Sequence, residues 1–193
     1  MTRALLVIDV QNDFTEGGAL GVDGGSAVAQ GITEYLEANR DRYQYVIASR
    51  DWHNGDDDNG GHFAVDAAPD FVDTWPAHCV AGTRGAEYHP ALDTSLIDLH
   101  VQKGQGKPAY SIFEGTLDDG AAFAEELGRL GVTSVDVVGI ATDYCVRASA
   151  LDALAAGLDV RVLSDLTAPV DPVTGARALA EVGEAGAHVA VSA

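Results

Sequence analysis

Apolar residues in this chain gather in short dense runs, separated by polar stretches with a helical rhythm. Residues 4–10, ALLVIDV, are apolar and rich in branched side chains, the pattern of a strand buried on both faces. Similar runs at 45–49 (YVIAS), 99–103 (LHVQK), 135–140 (VDVVGI), 159–165 (DVRVLSD) and 188–192 (HVAVS) predict six strands in all. Ser26 is positioned as the N-cap of a helix through about Arg40, with Val28, Ile32, Tyr35 and Leu36 on one stripe. A second helix is predicted over LDDGAAFAEELGRLG, closed by Gly131. Asp143 can cap a third, which carries Val146, Ala150, Ala153 and Leu154 on its buried stripe and stops at Gly157. The fourth runs from about Pro172 to Glu184. Strands alternating with helices predict an α/β fold with a parallel sheet covered on both faces. The length of 193 residues suits one domain, residues 1–193, with a full core.

From about residue 51 to residue 90 no periodicity persists. A loop that long inside a compact domain points to function, and its His, Trp and Asp content agrees. Composition then narrows the classes. A net charge of −19 argues against nucleic acid and anionic membrane partners, both of which need a basic surface. The start of the chain shows neither a secretory signal nor a run of membrane-spanning length, and the two cysteines argue against a disulfide framework. These features predict a cytoplasmic protein.

Polar residues recur at one edge of the predicted sheet. Asp9 lies at the end of the first strand, Asp51 just past the second, Lys103 at the end of the third, and Cys145 at the start of the helix after the fourth. In open α/β sheets the crevice beyond the carboxyl ends of the strands is where ligands bind. Asp165 ends the fifth strand in the same way, and a cap or loop role accounts for it. A thiol in a first helical turn gains from the helix dipole, which favours thiolate. The long loop adds His53, His62 and His78; with Asp51 they make a donor set suited to one divalent Zn, Fe or Mn ion. Their spacing matches no zinc finger, and the acidic run 56–58 reads as solvated. No dinucleotide fingerprint or phosphate-binding loop is present. Three readings stay open on these residues: a cysteine hydrolase, a hydrolase whose nucleophile is metal-bound hydroxide, and a metal-dependent binding protein with a silent crevice.

Several motifs together resemble the isochorismatase-like cysteine hydrolases, on their nicotinamidase branch. They are LLVIDVQNDF with Asp9, the KG pair at Lys103, GIATDYCV ending in Cys145, AYSIFEGT with Tyr110, and the DWH, HF and WPAHCVAGT segments. The resemblance spans essentially the whole chain. It implies a three-layer α/β/α fold with a six-stranded parallel sheet in the order 3-2-1-4-5-6. It implies a catalytic Asp9, Lys103 and Cys145, an oxyanion hole at Ala141 and Cys145, and a cis peptide at Ile140–Ala141. Asp51, His53, His62 and His78 are implied as metal ligands, and Phe14, Trp75, Tyr110, Ile140 and Tyr144 as substrate contacts. The implied partner is a small-molecule amide, and the protein is expected to act as a monomer or homo-oligomer. Two departures stand out: Tyr144 occupies a position where the branch often has His, and the stretch from His53 to His62 is longer than usual.

Overall fold

The computed structural model describes residues 2–192. Seven strands form one sheet among these residues: β1 (Thr2–Ile8), β2 (Tyr45–Asp51), β3 (Leu99–Lys103), β4 (Thr116–Leu117), β5 (Val132–Ile140), β6 (Asp159–Ala168) and β7 (His188–Ala190). Their order is β4-β3-β2-β1-β5-β6-β7. All pairings are parallel except that of β3 with β4. The six parallel strands therefore stand in the expected order, and the antiparallel two-residue β4 is an addition at the edge.

Burial on both faces explains the apolar runs. In β1, Leu5 and Val7 pack toward α1 (Gly25–Asn39) with Val28, Ile32 and Leu36. Ala4, Leu6 and Ile8 point the other way, into a second core. That core includes Phe123 and Leu127 of α2 (Phe123–Arg129), Ala150 and Ala153 of α3 (Arg147–Ala155), and Val182 of α4 (Pro172–Glu184). All five β1 residues are fully buried, and each such leucine, isoleucine or valine contributes about 1.5–3 kcal/mol of transfer free energy. At Gly139 (φ 117°) a Cβ would lie 2.1 Å from the Ile8 carbonyl oxygen, so only glycine lets β5 approach β1 here.

Several element boundaries differ from the sequence expectation. β1 ends at Ile8 because Asp9 turns the chain at φ 48°. β2 runs on to Asp51, which pairs with Lys103. Ser26 is not the cap of α1. Gly24 holds that position, and the Glu16 carboxylate reaches across to accept the Gly24 and Ser26 N–H groups at 2.7 and 2.9 Å. The second predicted helix shrinks to α2, because a turn closed by Gly120 N–H on the Leu117 carbonyl at 2.9 Å makes its first half a hairpin. Asp143 caps nothing in α3; its carboxylate accepts the Val170 N–H at 2.9 Å and the Thr174 hydroxyl at 2.5 Å, tying down the start of α4. Asp165 lies inside β6, where its carboxylate accepts the N–H and hydroxyl of Ser192.

Candidate active site

Beyond the carboxyl ends of β1, β2, β3 and β5, the strand-end residues converge on one another. Lys103 is fully buried, and its ammonium meets Asp9 Oδ2 at 2.9 Å, forms a second ion pair with Asp51 Oδ1, and lies 3.7 Å from Cys145 Sγ. The Ser49 hydroxyl donates to Asp9 Oδ1 at 2.7 Å. Cys145 sits within a single wide helical turn (Thr142–Val146), in which the Val146 N–H reaches back to the Ala141 carbonyl at 3.1 Å. The turn runs directly into α3, Val146 and Arg147 both being right-handed helical, so Cys145 stands in the first turn of one helical segment spanning 142–155. The Ile140–Ala141 peptide is cis.

Charge and burial set the protonation tendencies. Burial works against the Lys103 ammonium, but Asp51 and Asp9 outweigh it and hold its pKa well above the usual lysine value. Burial raises Asp9 above the ordinary carboxylate value, with Lys103 opposing. Burial also pushes the Cys145 thiol well up; Lys103 opposes it, and the Asp9 and Asp51 charges add to it. Asp51 goes the other way: burial would raise it, but Lys103 and then His53 pull it well below the carboxylate range.

The histidines form the second half of the site. A ring nitrogen from each of His53, His62 and His78 lies within 4.8 Å of the other two, and all three residues are buried. The free oxygen of Asp51, Oδ2, stands 3.6 Å from His53 Nε2 and 3.9 Å from His78 Nε2. The remote nitrogens are occupied: His53 Nδ1 bonds the Gly104 carbonyl at 2.8 Å and His78 Nδ1 the Pro76 carbonyl at 2.7 Å. Such carbonyl partners orient an imidazole toward a metal. A Cβ at Gly104 would press within 2.5 Å of the His53 ring. His53 Nε2 and His62 Nδ1 are buried with no hydrogen-bond partner, which a protein avoids unless something else satisfies them. This donor set fits a divalent ion. Burial, reinforced by His53 and His78, lowers His62 to about 4, which keeps its ring neutral and able to donate a lone pair.

The long stretch before His62 folds back on itself. Asn59 is buried at φ 50°, and its side-chain oxygen accepts the Asn54 N–H at 2.8 Å and the Gly106 N–H at 3.1 Å. Residues 56–58 are exposed, as expected for a solvated acidic run. Trp75 then binds His62 through the backbone, N–H to carbonyl at 2.9 Å.

A cavity of about 500 Å³ opens onto these groups; its walls include Cys145, Asp51, His62, His78, Ala141, Phe14, Trp75, Tyr110 and Tyr144. The Trp75 ring meets Tyr144 edge-on at 5.2 Å and donates its N–H to the Tyr110 hydroxyl at 3.2 Å. Ile140, expected among the substrate contacts, is fully buried beneath α1 and is not part of the wall. Sequence reasoning missed Gln11, whose side-chain amide clamps the backbone of Asp51 in both directions, at 2.9 and 2.8 Å. The polar QN step inside the first motif was the available signal. It also missed the 18–22 loop, Phe71 and Val170 on the wall, which carry no chemistry-bearing side chain to betray them.

Comparison with known proteins places these features in context. Residues 3–193 match the protein family described as the isochorismatase domain. The chain is 48% identical over 190 residues to the nicotinamidase/pyrazinamidase of Mycobacterium tuberculosis, covering 98% of this chain and 99% of that protein. Among solved structures, the pyrazinamidase of Pyrococcus horikoshii in complex with zinc is similar with a TM-score of 0.83 and 36% identity, covering 99% of each chain. The PnC1 protein of L. infantum in complex with nicotinate superimposes with a TM-score of 0.84 and 35% identity, over 99% of this chain and 93% of that one.

Proposed function

This chain belongs to the isochorismatase family, and from that premise we propose that it is a nicotinamidase, hydrolysing nicotinamide and pyrazinamide to the carboxylic acid and ammonia. The observation that carries the reading is the meeting of Lys103 with Asp9 at 2.9 Å and with Cys145 at 3.7 Å on the wall of an aromatic-lined cavity.

A thiol whose pKa is raised by burial needs a base at the moment of attack. Asp9, itself raised and therefore more basic than an ordinary carboxylate, takes the Cys145 proton as sulfur adds to the amide carbon. The Lys103 ammonium offsets the negative charge that the proton transfer leaves among Asp9, Asp51 and sulfur. Backbone N–H groups of Ala141 and Cys145 are assigned to the oxyanion. Asp9 passes its proton to the departing nitrogen, which leaves as ammonia, and a thioester on Cys145 remains. Water then gives a proton to Asp9 and its oxygen to the thioester carbon; the acid departs and the thiol is restored.

Asp51, His53, His62 and His78 are the residues that would hold one Zn, Fe or Mn ion, which supplies a Lewis-acidic anchor for the ring nitrogen and ordered water. Gln11 keeps Asp51 in place, and Trp75 keeps His62. On this proposal residues 1–193 form one cytoplasmic hydrolase domain that acts on a small amide, as monomer or homo-oligomer, without nucleic acid or membrane partners. No helix among the described residues is long and apolar enough to cross a membrane.

Ammonia release from nicotinamide by the metal-loaded protein tests the proposal, with Cys145→Ala beside it. Release by the wild type and loss in the variant are expected. Turnover that survives in Cys145→Ala would make bound hydroxide the nucleophile, and no release by the wild type would remove the assignment.

A further inference from the structure

Phe71 is an aromatic ring held out in water. It is 54% exposed, yet its backbone sits at φ 58°, a region that bulky residues seldom enter. A tight clasp keeps it there. Asp70 Oδ1 accepts the N–H groups of Val72, Asp73 and Thr74 at 2.9, 2.9 and 2.8 Å, and the Phe71 N–H donates to the Thr74 carbonyl at 3.0 Å. The ring stands edge-on to Trp75 at 6.1 Å. Unfavourable backbone and an exposed apolar ring in one place point toward function.

Burial is graded along the cavity. His62 and His78 are 3% exposed and Cys145 6% at one end, whereas Phe71 and Val170 (51% exposed) mark the other, with Leu20 half-buried on the same wall. Val170 is fixed relative to the nucleophile, since Asp143, two residues before Cys145, accepts its N–H at 2.9 Å. A cavity of about 500 Å³ is of the size that takes drug-sized ligands, more than a single-ring amide fills.

We propose that Phe71, Val170 and Leu20 form an outer apolar subsite for a substituent on the ring of the amide substrate, with Phe71 as its specificity residue. The substrate class then extends to heteroaromatic amides with a short alkyl group on the side of the ring away from the carboxamide. The inference rests on the amidase reading above, because the carboxamide carbon must reach Cys145, and that directs the far side of the ring toward the open end. An alkyl end gains by leaving water for these side chains, and a hydroxyl end of the same length does not.

The experiment compares kcat/KM for nicotinamide, 5-propylnicotinamide and 5-(2-hydroxyethyl)nicotinamide, using the metal-loaded enzyme. The two extended amides have side chains of equal length, so a preference for propyl reports apolar contact and not mere space. A preference of about tenfold is expected in the wild type. It should fall toward one in Phe71→Ala and persist in Phe71→Leu, with thermal melts confirming that both variants fold. Equal hydrolysis of the two extended amides, hydrolysis of neither, or an unchanged preference in Phe71→Ala would overturn the subsite while nicotinamide turnover left the amidase reading intact. Failure on nicotinamide itself would overturn both.

Discussion

Asp51 and Lys103 form an ion pair that serves two sites at once. One Asp51 oxygen faces the Lys103 ammonium, while the other lies 3.6 Å from His53 Nε2. Neighbours across β2 and β3, the two residues link the nucleophile's environment to the histidine cluster through a single carboxylate.

Asp51→Asn should therefore fail twice. It removes a ligand and leaves the fully buried Lys103 with only Asp9 as counter-charge; breaking such a pair costs about 3–5 kcal/mol. Metal analysis should find far below one equivalent per chain, and the melting temperature should drop by more than metal removal alone explains. His53→Ala should lose the metal with a smaller loss of stability, since the Lys103 pairs survive. Equal melting temperatures for Asp51→Asn and the chelator-treated wild type would refute the shared role.

Cys145→Ala should fold and lose amide hydrolysis by at least about a thousandfold, as expected for a group acting as one unit with its base. Lys103→Ala should be as inactive but less stable, because the fully buried Asp9 would then lose its cationic partner and face the Asp51 carboxylate. Activity and thermal melts of the two variants separate chemistry from folding. Iodoacetamide should label Cys145, which reaches the cavity wall, before Cys79, which is completely buried.

Much of this site was legible because strand ends are legible. Dense branched runs locate β1, β2, β3 and β5, and their order brings Asp9, Asp51, Lys103 and Cys145 to one edge whatever the exact boundaries. What failed was local chemistry that depends on distant partners. Nothing near Ser26 says that Glu16 will do the capping, and nothing near Asp143 says that its carboxylate will serve α4. The hairpin at 116–122 hides inside a helical composition, because an Asp-Asp-Gly turn beside an edge strand is decided by pairing with β3. Phe71 was invisible for a related reason, since its exposure follows from the Asp70 clasp and not from its own type.

Glu16 offers a pH test away from the chemistry. Its hydrogen bonds to Ser26 and to the N–H groups at the start of α1 lower its pKa from 4.5 to about 2. A depressed carboxyl contributes stability above its unfolded value and loses it as pH falls through the folded one. Glu16→Gln should thus melt below the wild type at neutral pH, and the gap should close between about pH 4.5 and 2. The loop it anchors carries residues 18–22 of the cavity wall, so KM for nicotinamide should rise in Glu16→Gln while kcat holds. A gap in melting temperature that does not change with pH would show that the Glu16 charge is not what holds the loop.

Trp75 separates substrate recognition from metal binding within one residue. Its backbone pairs with His62, N–H to carbonyl at 2.9 Å, while its ring faces the cavity between Tyr110 and Tyr144. Truncating the ring leaves the backbone pairing available, so Trp75→Ala should keep close to one equivalent of metal. It should lose the flat wall against which a heteroaromatic ring stacks, an interaction of about 0.5–1.5 kcal/mol beyond area, and the Tyr110 hydroxyl loses its donor. KM for nicotinamide is then expected to rise about three- to tenfold. If the histidine cluster anchors the ring nitrogen, benzamide should be a much poorer substrate than nicotinamide for the wild type and for Trp75→Ala alike, because the anchor is independent of the indole. Loss of metal in Trp75→Ala would mean that the indole holds His62 in place, and equal rates on benzamide and nicotinamide would mean that the cluster does not read the ring at all.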